Sequence, residues 1–462
     1  MNSDIDIALT EFELANALQI QGDFANASIH YQSVLQLCPE YFPAYQQLGN
    51  LMLSQRRMDE ALEYYDRSLA LDFEATDLSL YYQSLNLAQQ QANQSRQSAN
   101  ISVEVMPADQ ICTGKINLGA QKMFGHHRSG WDVVIQSLRP LHNPQGILFN
   151  SVLEHQFAYE NQRLKKRPAR ILAKMRSDGV LQFLATLEEQ GILPYQEPWV
   201  GFLHHPPLMP NWFLYYQSPQ KLWEKEIWQA SLSHCVGLFT LTDYFAQWLR
   251  AKTDKPVSVL TLPTEIPANQ FDFDQFLANP QKKIVQLGWW LRKLHSIYQV
   301  PLAHDNPLGY QKVRTGYLFD SSELLLAQLM KLEARVYKIE VDAAYQSNTA
   351  IIQYIPDDEY DRFLTQNIAF LDLYDSSSNN AIVECIARAT PLLINPLPGV
   401  IEYLGADYPM YFHTLAEAAA KALDTSLILE THQYLKSCET RQKLSADYFL
   451  QSFCDSEVYQ SI

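Results

Sequence analysis

Three pairs of like residues stand 34 positions apart near the start of the chain: Leu14 with Leu48, Ala27 with Ala61, and Tyr31 with Tyr65. A fixed period of that length constrains the fold more than any other feature. Each unit must be one supersecondary element stacked on a copy of itself. The stretches at 15–19 (Ala-Asn-Ala-Leu-Gln) and 49–53 (Gly-Asn-Leu-Met-Leu) place small residues where two helices touch closely. Each unit reads as a pair of amphipathic helices. Pro39 closes the first unit, and Phe73 stands where a second proline would fall.

This period resembles that of the tetratricopeptide repeats. Two repeats and a capping helix near 77–90 are expected, making an all-α module over residues 1–98. So short an array buries little by itself. The resemblance implies a protein partner at the repeats. A polar, Gln/Ser/Asn-rich linker follows at 89–100.

From about residue 101 the pattern changes. Short apolar runs recur at 146–150, 199–204, 236–241, 257–262, 283–288, 350–355, 368–373 and 391–395, after a strand expected at 116–120. Amphipathic stretches such as Tyr-Phe-Ala-Gln-Trp-Leu-Arg-Ala and Asn-Ala-Ile-Val-Glu-Cys-Ile-Ala-Arg-Ala lie between them. That alternation predicts α/β architecture, with parallel sheets covered by helices on both faces. The length suits two sheets, with a break in the turn-rich segment 266–281. The expected divisions are 101–275, 276–425 and a helical tail at 426–462.

Composition narrows the function. The 51 acidic residues exceed the 35 basic ones by 16, which excludes a general nucleic-acid binder. No run reaches 18 apolar residues, and the acidic start has no secretory pattern. The 6 cysteines form no CxxC pair, as expected of free thiols in a reduced, cytoplasmic compartment. Residues 163–176 carry seven Lys and Arg. They read as a solvated face or as a peripheral contact with anionic lipid.

In parallel sheets, ligands bind beyond the carboxyl ends of strands. After the first strand, Gly125, His126, His127, Arg128 and Gly130 form a loop that lets backbone approach a ligand and offers a guanidinium to an anion. After 199–203 come His204 and His205, stiffened by Pro206 and Pro207 and able to orient a substrate or carry a proton. After the strand near 283, Gly288 precedes the adjacent cations Arg292 and Lys293, which suit a diphosphate. After 368–373, Ser376, Ser377, Ser378, Asn379 and Asn380 lead into a helix whose free N–H groups make an anion site. Glu384, one turn inside that helix, can accept both hydroxyls of a ribose. Each feature also has a plain reading as a capped helix, a core histidine or a solvated face. Four at strand ends point to a cleft holding a phosphorylated ligand.

The segment 379–405 resembles the donor-binding signature of GT-B glycosyltransferases, most like the retaining family that includes sucrose and mannosyl transferases. Glu384, Ala389-Thr390-Pro391, and Gly399 with Glu402 carry the likeness. It implies a GT-B-like pair of Rossmann-type lobes facing across a cleft. It assigns Glu384 to the ribose of a nucleotide sugar, Arg292 and Lys293 to its diphosphate, and Glu402 to the donor site. It maps a first-lobe histidine to His204 or His205. The family places another acid eight positions before its helix glutamate, and that position is Ser376 here. An inverting reaction with His126, His127, His204 or His205 as base therefore stays open beside a retaining one.

The expected activity is transfer of a sugar from a nucleotide sugar to a glycan, lipid or protein hydroxyl, with no cofactor and no metal. Asp4-x-Asp6 and Asp272-x-Asp274 lack the strand-end context of a metal-binding pair. The alternative is a repeat-containing binding scaffold whose transferase-like part is inactive.

Overall fold

A computed structural model describes residues 2–21, 23–55, 57–71, 114–119, 129–158, 193–303, 305–315, 321–341, 349–352, 355 and 357–462. These fall into two compact units, with the four repeat helices in one and both sheets in the other.

The first unit contains α1 (Asn2–Gln21), α2 (Phe24–Leu37), α3 (Phe42–Ser54) and α4 (Met58–Leu71). The 34-residue period recurs in its hydrogen bonds. The Tyr31 hydroxyl lies 2.7 Å from Asn16 Oδ1, and the Tyr65 hydroxyl donates to Asn50 Oδ1 at 2.6 Å. Small residues permit the fit, since a Cβ at Gly49 would meet the Tyr65 ring at 2.7 Å. Ala15, Ala27, Tyr31 and Leu48 form a buried core between the helices. The expected capping helix and linker lie outside the described residues.

In the second unit two five-stranded sheets are wholly parallel. The first holds β1 (Ile116–Asn117), β2 (Ile147–Asn150), β3 (Trp199–Phe202), β4 (Cys235–Thr240) and β5 (Val257–Val259), side by side in chain order. Its strands show why the apolar runs lack strict alternation: both faces are covered. Trp199 and Leu238 point into a core with Phe157 and Trp228, while Val200, Phe202 and Phe239 point into the other.

The second sheet holds β6 (Lys283–Gln286), β7 (Gln311–Thr315), β8 (Thr349–Ile352), β9 (Ile368–Leu371) and β10 (Leu392–Ile394), in the order β10-β9-β6-β7-β8. Strand β7 has no counterpart among the expected runs. Its sequence, Gln-Lys-Val-Arg-Thr, has one large apolar residue. Lys312 and Arg314 are nonetheless buried. The Lys312 ammonium donates to the Tyr298 carbonyl at 2.7 Å, and the Arg314 guanidinium lies over the Tyr298 ring.

Helices span Thr425–Ser437, Glu439–Gln442, Ala446–Asp455 and Glu457–Gln460. The last two return to the first sheet. Phe453 stacks on Phe239 with ring centroids 4.6 Å apart, and Val458 N–H donates to Ser258 Oγ at 3.3 Å. Gly237 leaves room for Val458, which a Cβ there would meet at 2.7 Å.

Candidate functional site

The chain leaves β6 toward β7 and β8 on one side, then crosses back to place β9 and β10 on the other. A parallel sheet opens a crevice where its strand order reverses in this way, beyond the carboxyl ends of the two diverging strands. Here those strands are β6 and β9. Their following loops are 287–295 and 372–380, the two basic and Ser/Asn-rich segments of the sequence.

The loop after β6 turns through left-handed backbone twice, at Gly288 (φ 69°) and Leu291 (φ 54°). Glycine adopts this freely, whereas a leucine held there is strained. The surroundings hold it in place. Tyr374 N–H donates to the Leu291 carbonyl at 3.0 Å, and Lys293 N–H donates to the Asp372 carbonyl at 2.7 Å. The turn aims Arg292 inward, where it is buried. Its Nε donates to the Leu287 carbonyl at 3.0 Å and its Nη1 to the Trp290 carbonyl. Its Nη2 donates to Asn379 Oδ1 at 2.9 Å. Lys293 is half-exposed and pairs with Asp372 at 2.7 Å. Burial raises the Asp372 carboxyl above its ordinary range, and Lys293 opposes that rise.

Asn379 is the N-cap of the helix Asn380–Arg388 and also accepts Ala381 N–H at 3.0 Å. One amide oxygen thus joins a guanidinium to the positive end of a helix, a concentration of positive potential that favours an anion. Ser376 and Ser377 are buried beneath this turn. The turn packs so closely that a Cβ at Gly399 would collide with the Ser376 carbonyl oxygen.

The first lobe meets this turn directly. Ser377 Oγ donates to the His204 carbonyl. Asp375 accepts Leu208 N–H at 2.7 Å and the Tyr244 hydroxyl at 3.1 Å. Burial lifts the Asp375 carboxyl, against these donors. Gly130, at φ 95°, lies against the Asn380 side chain, which a Cβ would meet at 3.0 Å.

His204 and His205 follow β3, as read from the sequence, and differ in kind. His205 is 2% exposed, and its Nδ1 lies 2.9 Å from the Gln217 carbonyl. Burial pushes its imidazole down to about 4, so it is neutral at pH 7. Its ring packs against Trp290, 4.8 Å away. The His204 side chain is 20% exposed and stands edge-on to Trp131.

Glu154 is a site residue that the sequence pattern does not single out. Its Oε1 accepts the N–H groups of both His204 (2.5 Å) and His205 (2.8 Å), and its Oε2 lies 3.2 Å from His204 Nδ1. Burial would raise this carboxyl, but the two imidazoles and these donors bring it below its ordinary range. A signal existed, because Glu154 follows β2 by four residues, in the position where strand-end chemistry is sought.

The structure therefore brings together Gly130, His204, Gly288, Arg292, Lys293, Ser378, Asn379 and Asn380. Two carboxylates stand otherwise. Glu384 is 1% exposed, with one oxygen accepting from Ser129 Oγ at 2.6 Å and the other from the Tyr360 hydroxyl at 2.8 Å. Neither oxygen is open to a ribose in this structure. Glu402 accepts the N–H groups of Asp243 and Tyr244, both at 2.6 Å, so it caps the helix Asp243–Arg250 of the first lobe. Of the aspartate pairs, Asp272 caps the helix Phe273–Ala278. Gly125, His126, His127, Arg128 and the basic stretch 163–176 lie outside the described residues. Among those described, no group of three or more His, Cys, Asp or Glu could hold a metal ion, and no helix is long and apolar enough to cross a membrane.

A tetratricopeptide-repeat family model matches residues 42–74. Comparison with curated proteins gives no match. Among solved structures the chain is similar to a UDP-forming α,α-trehalose-phosphate synthase from Burkholderia xenovorans. The identity is 15%, covering 59% of this chain and 70% of that one, with a TM-score of 0.40. It is also similar to S. aureus TarM at 12% identity, over 57% of this chain and 50% of that one, with a TM-score of 0.42. Anabaena HepE, solved with UDP and glucose, is 11% identical over 57% of this chain and 72% of that one, with a TM-score of 0.42. By its own strand order and its matched repeat, the chain carries a tetratricopeptide repeat at residues 42–74 and two α/β lobes, each built on a parallel five-stranded sheet.

Proposed function

We propose that the chain is a glycosyltransferase that moves a sugar from a nucleoside diphosphate to an acceptor hydroxyl. The observation that carries this is the 2.9 Å bond from Arg292 to Asn379, which unites the loops after β6 and β9 at the sheet's switch point. In this reading the diphosphate rests on the first N–H groups of the helix Asn380–Arg388. Lys293, with half its side chain in solvent, meets the phosphates. Arg292 acts through Asn379, because its own nitrogens are engaged by the loop. Together they offset the charge that develops on the departing diphosphate. The scheme uses no metal ion. Glu384 reaches a ribose only by exchanging Ser129 or Tyr360 for it. The acceptor is a glycan, lipid or protein, and the repeats hold a protein partner.

A panel of UDP-glucose, UDP-N-acetylglucosamine, GDP-mannose and ADP-glucose tests the reading by thermal stabilisation. A donor at 100 times its Kd adds about 2.7 kcal/mol. At least one should raise Tm in the wild type and fail to do so in Lys293→Ala. No shift with any of them would remove the assignment.

The engagement of Glu384 by Ser129 and Tyr360 favours a second reading, a binding scaffold with an inactive transferase-like part. It predicts that all four nucleotide sugars are ignored.

A further inference from the structure

We propose that Ser129 is an internal stand-in for a ribose hydroxyl: seated on Glu384 it keeps the nucleotide site shut, and an incoming donor displaces it while Tyr360 stays in place. This deepens the glycosyltransferase reading above and rests on it.

Glu384 is already a receptor for two hydroxyls. Its Oε1 accepts from Ser129 Oγ at 2.6 Å, and its Oε2 accepts from the Tyr360 hydroxyl at 2.8 Å. A ribose offers donors of the same type, so one can take the place of the other without leaving a buried carboxylate oxygen short of a bond. The present arrangement denies access rather than bonding capacity, since a carboxylate can accept several bonds. Glu384 and Ser129 are each 1% exposed. Gly130 adds to the obstruction. A Cβ there would meet Asn380 Nδ2 at 3.0 Å, at the start of the helix whose N–H groups receive the diphosphate in this reading.

The two hydroxyls differ in what holds them. Tyr360 lies in the helix Asp357–Thr365, in the same lobe as Glu384. The Arg388 guanidinium lies over its ring, 5.6 Å from the centroid. Arg388 is 1% exposed, donates to the Glu384 carbonyl at 3.2 Å, and pairs with Asp361 through Nε at 3.1 Å and through Nη2. Burial and the Glu384 charge hold the Tyr360 hydroxyl well above its ordinary pKa, so it remains a donor. Moving Tyr360 would disturb a buried ion pair, which is costly to break. Ser129 comes from the other lobe, just ahead of the helix Trp131–Leu138, and is bridged there to Thr264. Withdrawal of the Ser129–Gly130 backbone with its own lobe uncovers Oε1 and Asn380 together and leaves the Tyr360–Arg388–Asp361 cluster whole. Ser129 is therefore the partner that exchanges. The donor's apparent affinity is reduced by the fraction of time that the site stands shut.

Ser129→Ala gives the decisive sign. It removes the competing hydroxyl and keeps the backbone. The nucleotide sugar that stabilises the wild type, drawn from the same panel of four, should bind about tenfold tighter by calorimetric titration, since a hydrogen bond to a charged group is worth that factor or more. The unliganded Tm should fall at the same time, because Glu384 loses a donor. Ser129→Cys, with a weak donor of similar shape, should show both effects at smaller amplitude, and it serves if the alanine variant fails to fold. Tyr360→Phe should lower Tm but leave affinity within about threefold, because a bond present before and after binding shifts nothing. The 2′,3′-dideoxy form of the donor's nucleoside diphosphate should bind the wild type about tenfold more weakly than the parent diphosphate. Unchanged or weaker donor binding in the Ser129 variants, tightening in Tyr360→Phe instead, or equal binding of the dideoxy and parent diphosphates would overturn the exchange while leaving the transferase. Donors ignored by the wild type and by Ser129→Ala alike would overturn both.

Discussion

Arg292 Nη2 and Asn379 Oδ1 are 2.9 Å apart although 87 residues separate them, and the contact joins the two loops that leave the diverging strands β6 and β9. Replacing Arg292 with alanine leaves the Leu287 and Trp290 carbonyls and the Asn379 amide oxygen short of a donor. Each buried loss costs about 1–3 kcal/mol. Urea unfolding of Arg292→Ala should show a loss of about 3 kcal/mol, together with loss of nucleotide-sugar stabilisation. Lysine, with its point charge, should restore little of either.

Gly399→Ala tests how tightly the Ser376–Asn380 turn is seated. The new methyl collides with the Ser376 carbonyl oxygen, a backbone atom that cannot swing aside. A cost on the order of 3 kcal/mol is expected. Calorimetric unfolding measures it, and a Tm within a degree of wild type would contradict the packing.

Glu402 separates a cap from a ligand-binding group. Its two bonds serve the backbone of Asp243 and Tyr244. Glu402→Ala should lower stability by about 1 kcal/mol, as loss of a helix cap does. Donor affinity, read by calorimetric titration, should stay within twofold. A tenfold loss of affinity would return Glu402 to the donor site.

Acid should loosen the first lobe through His205. Burial lowers its pKa from 6.5 in the unfolded chain to about 4 in the fold. The fold therefore favours neutral imidazole, and its contribution is whole above 6.5 and lost as pH falls toward 4. At about 1.4 kcal/mol per unit, up to about 3 kcal/mol is at stake. Asp372 and Asp375, raised by burial, act in the opposite sense, so the comparison must be between variants. Urea midpoints from pH 7 to pH 4 should fall less steeply in His205→Gln than in the wild type.

Much of this architecture is legible in the sequence because periodicity is local. The 34-residue spacing anticipates the Tyr31–Asn16 and Tyr65–Asn50 pairs, and runs such as Ile368–Leu371 declare buried parallel strands. Strand β7 is hidden because Lys312 and Arg314 are buried by carbonyls and a ring that belong to residues 298–300, which no local pattern announces. The partners of the two carboxylates are hidden for the same reason. Glu384 meets Ser129 across 255 residues, and Glu402 meets Asp243 across 159. A sequence shows that an acid stands at a strand end or on a helix, but its partner is chosen by topology. Glu154 was within reach, since it follows a strand at short distance.

The return of Phe453 and Val458 to the first sheet sets an order of assembly. A ribosome releases β1 through β5 long before it releases the rings that complete their hydrophobic packing, with the whole second sheet made in between. The earlier half must wait, partly uncovered, for contacts 200 or more residues downstream, and pairings that remote are slow to form. Completion of the first lobe's packing is thus tied to synthesis of the second.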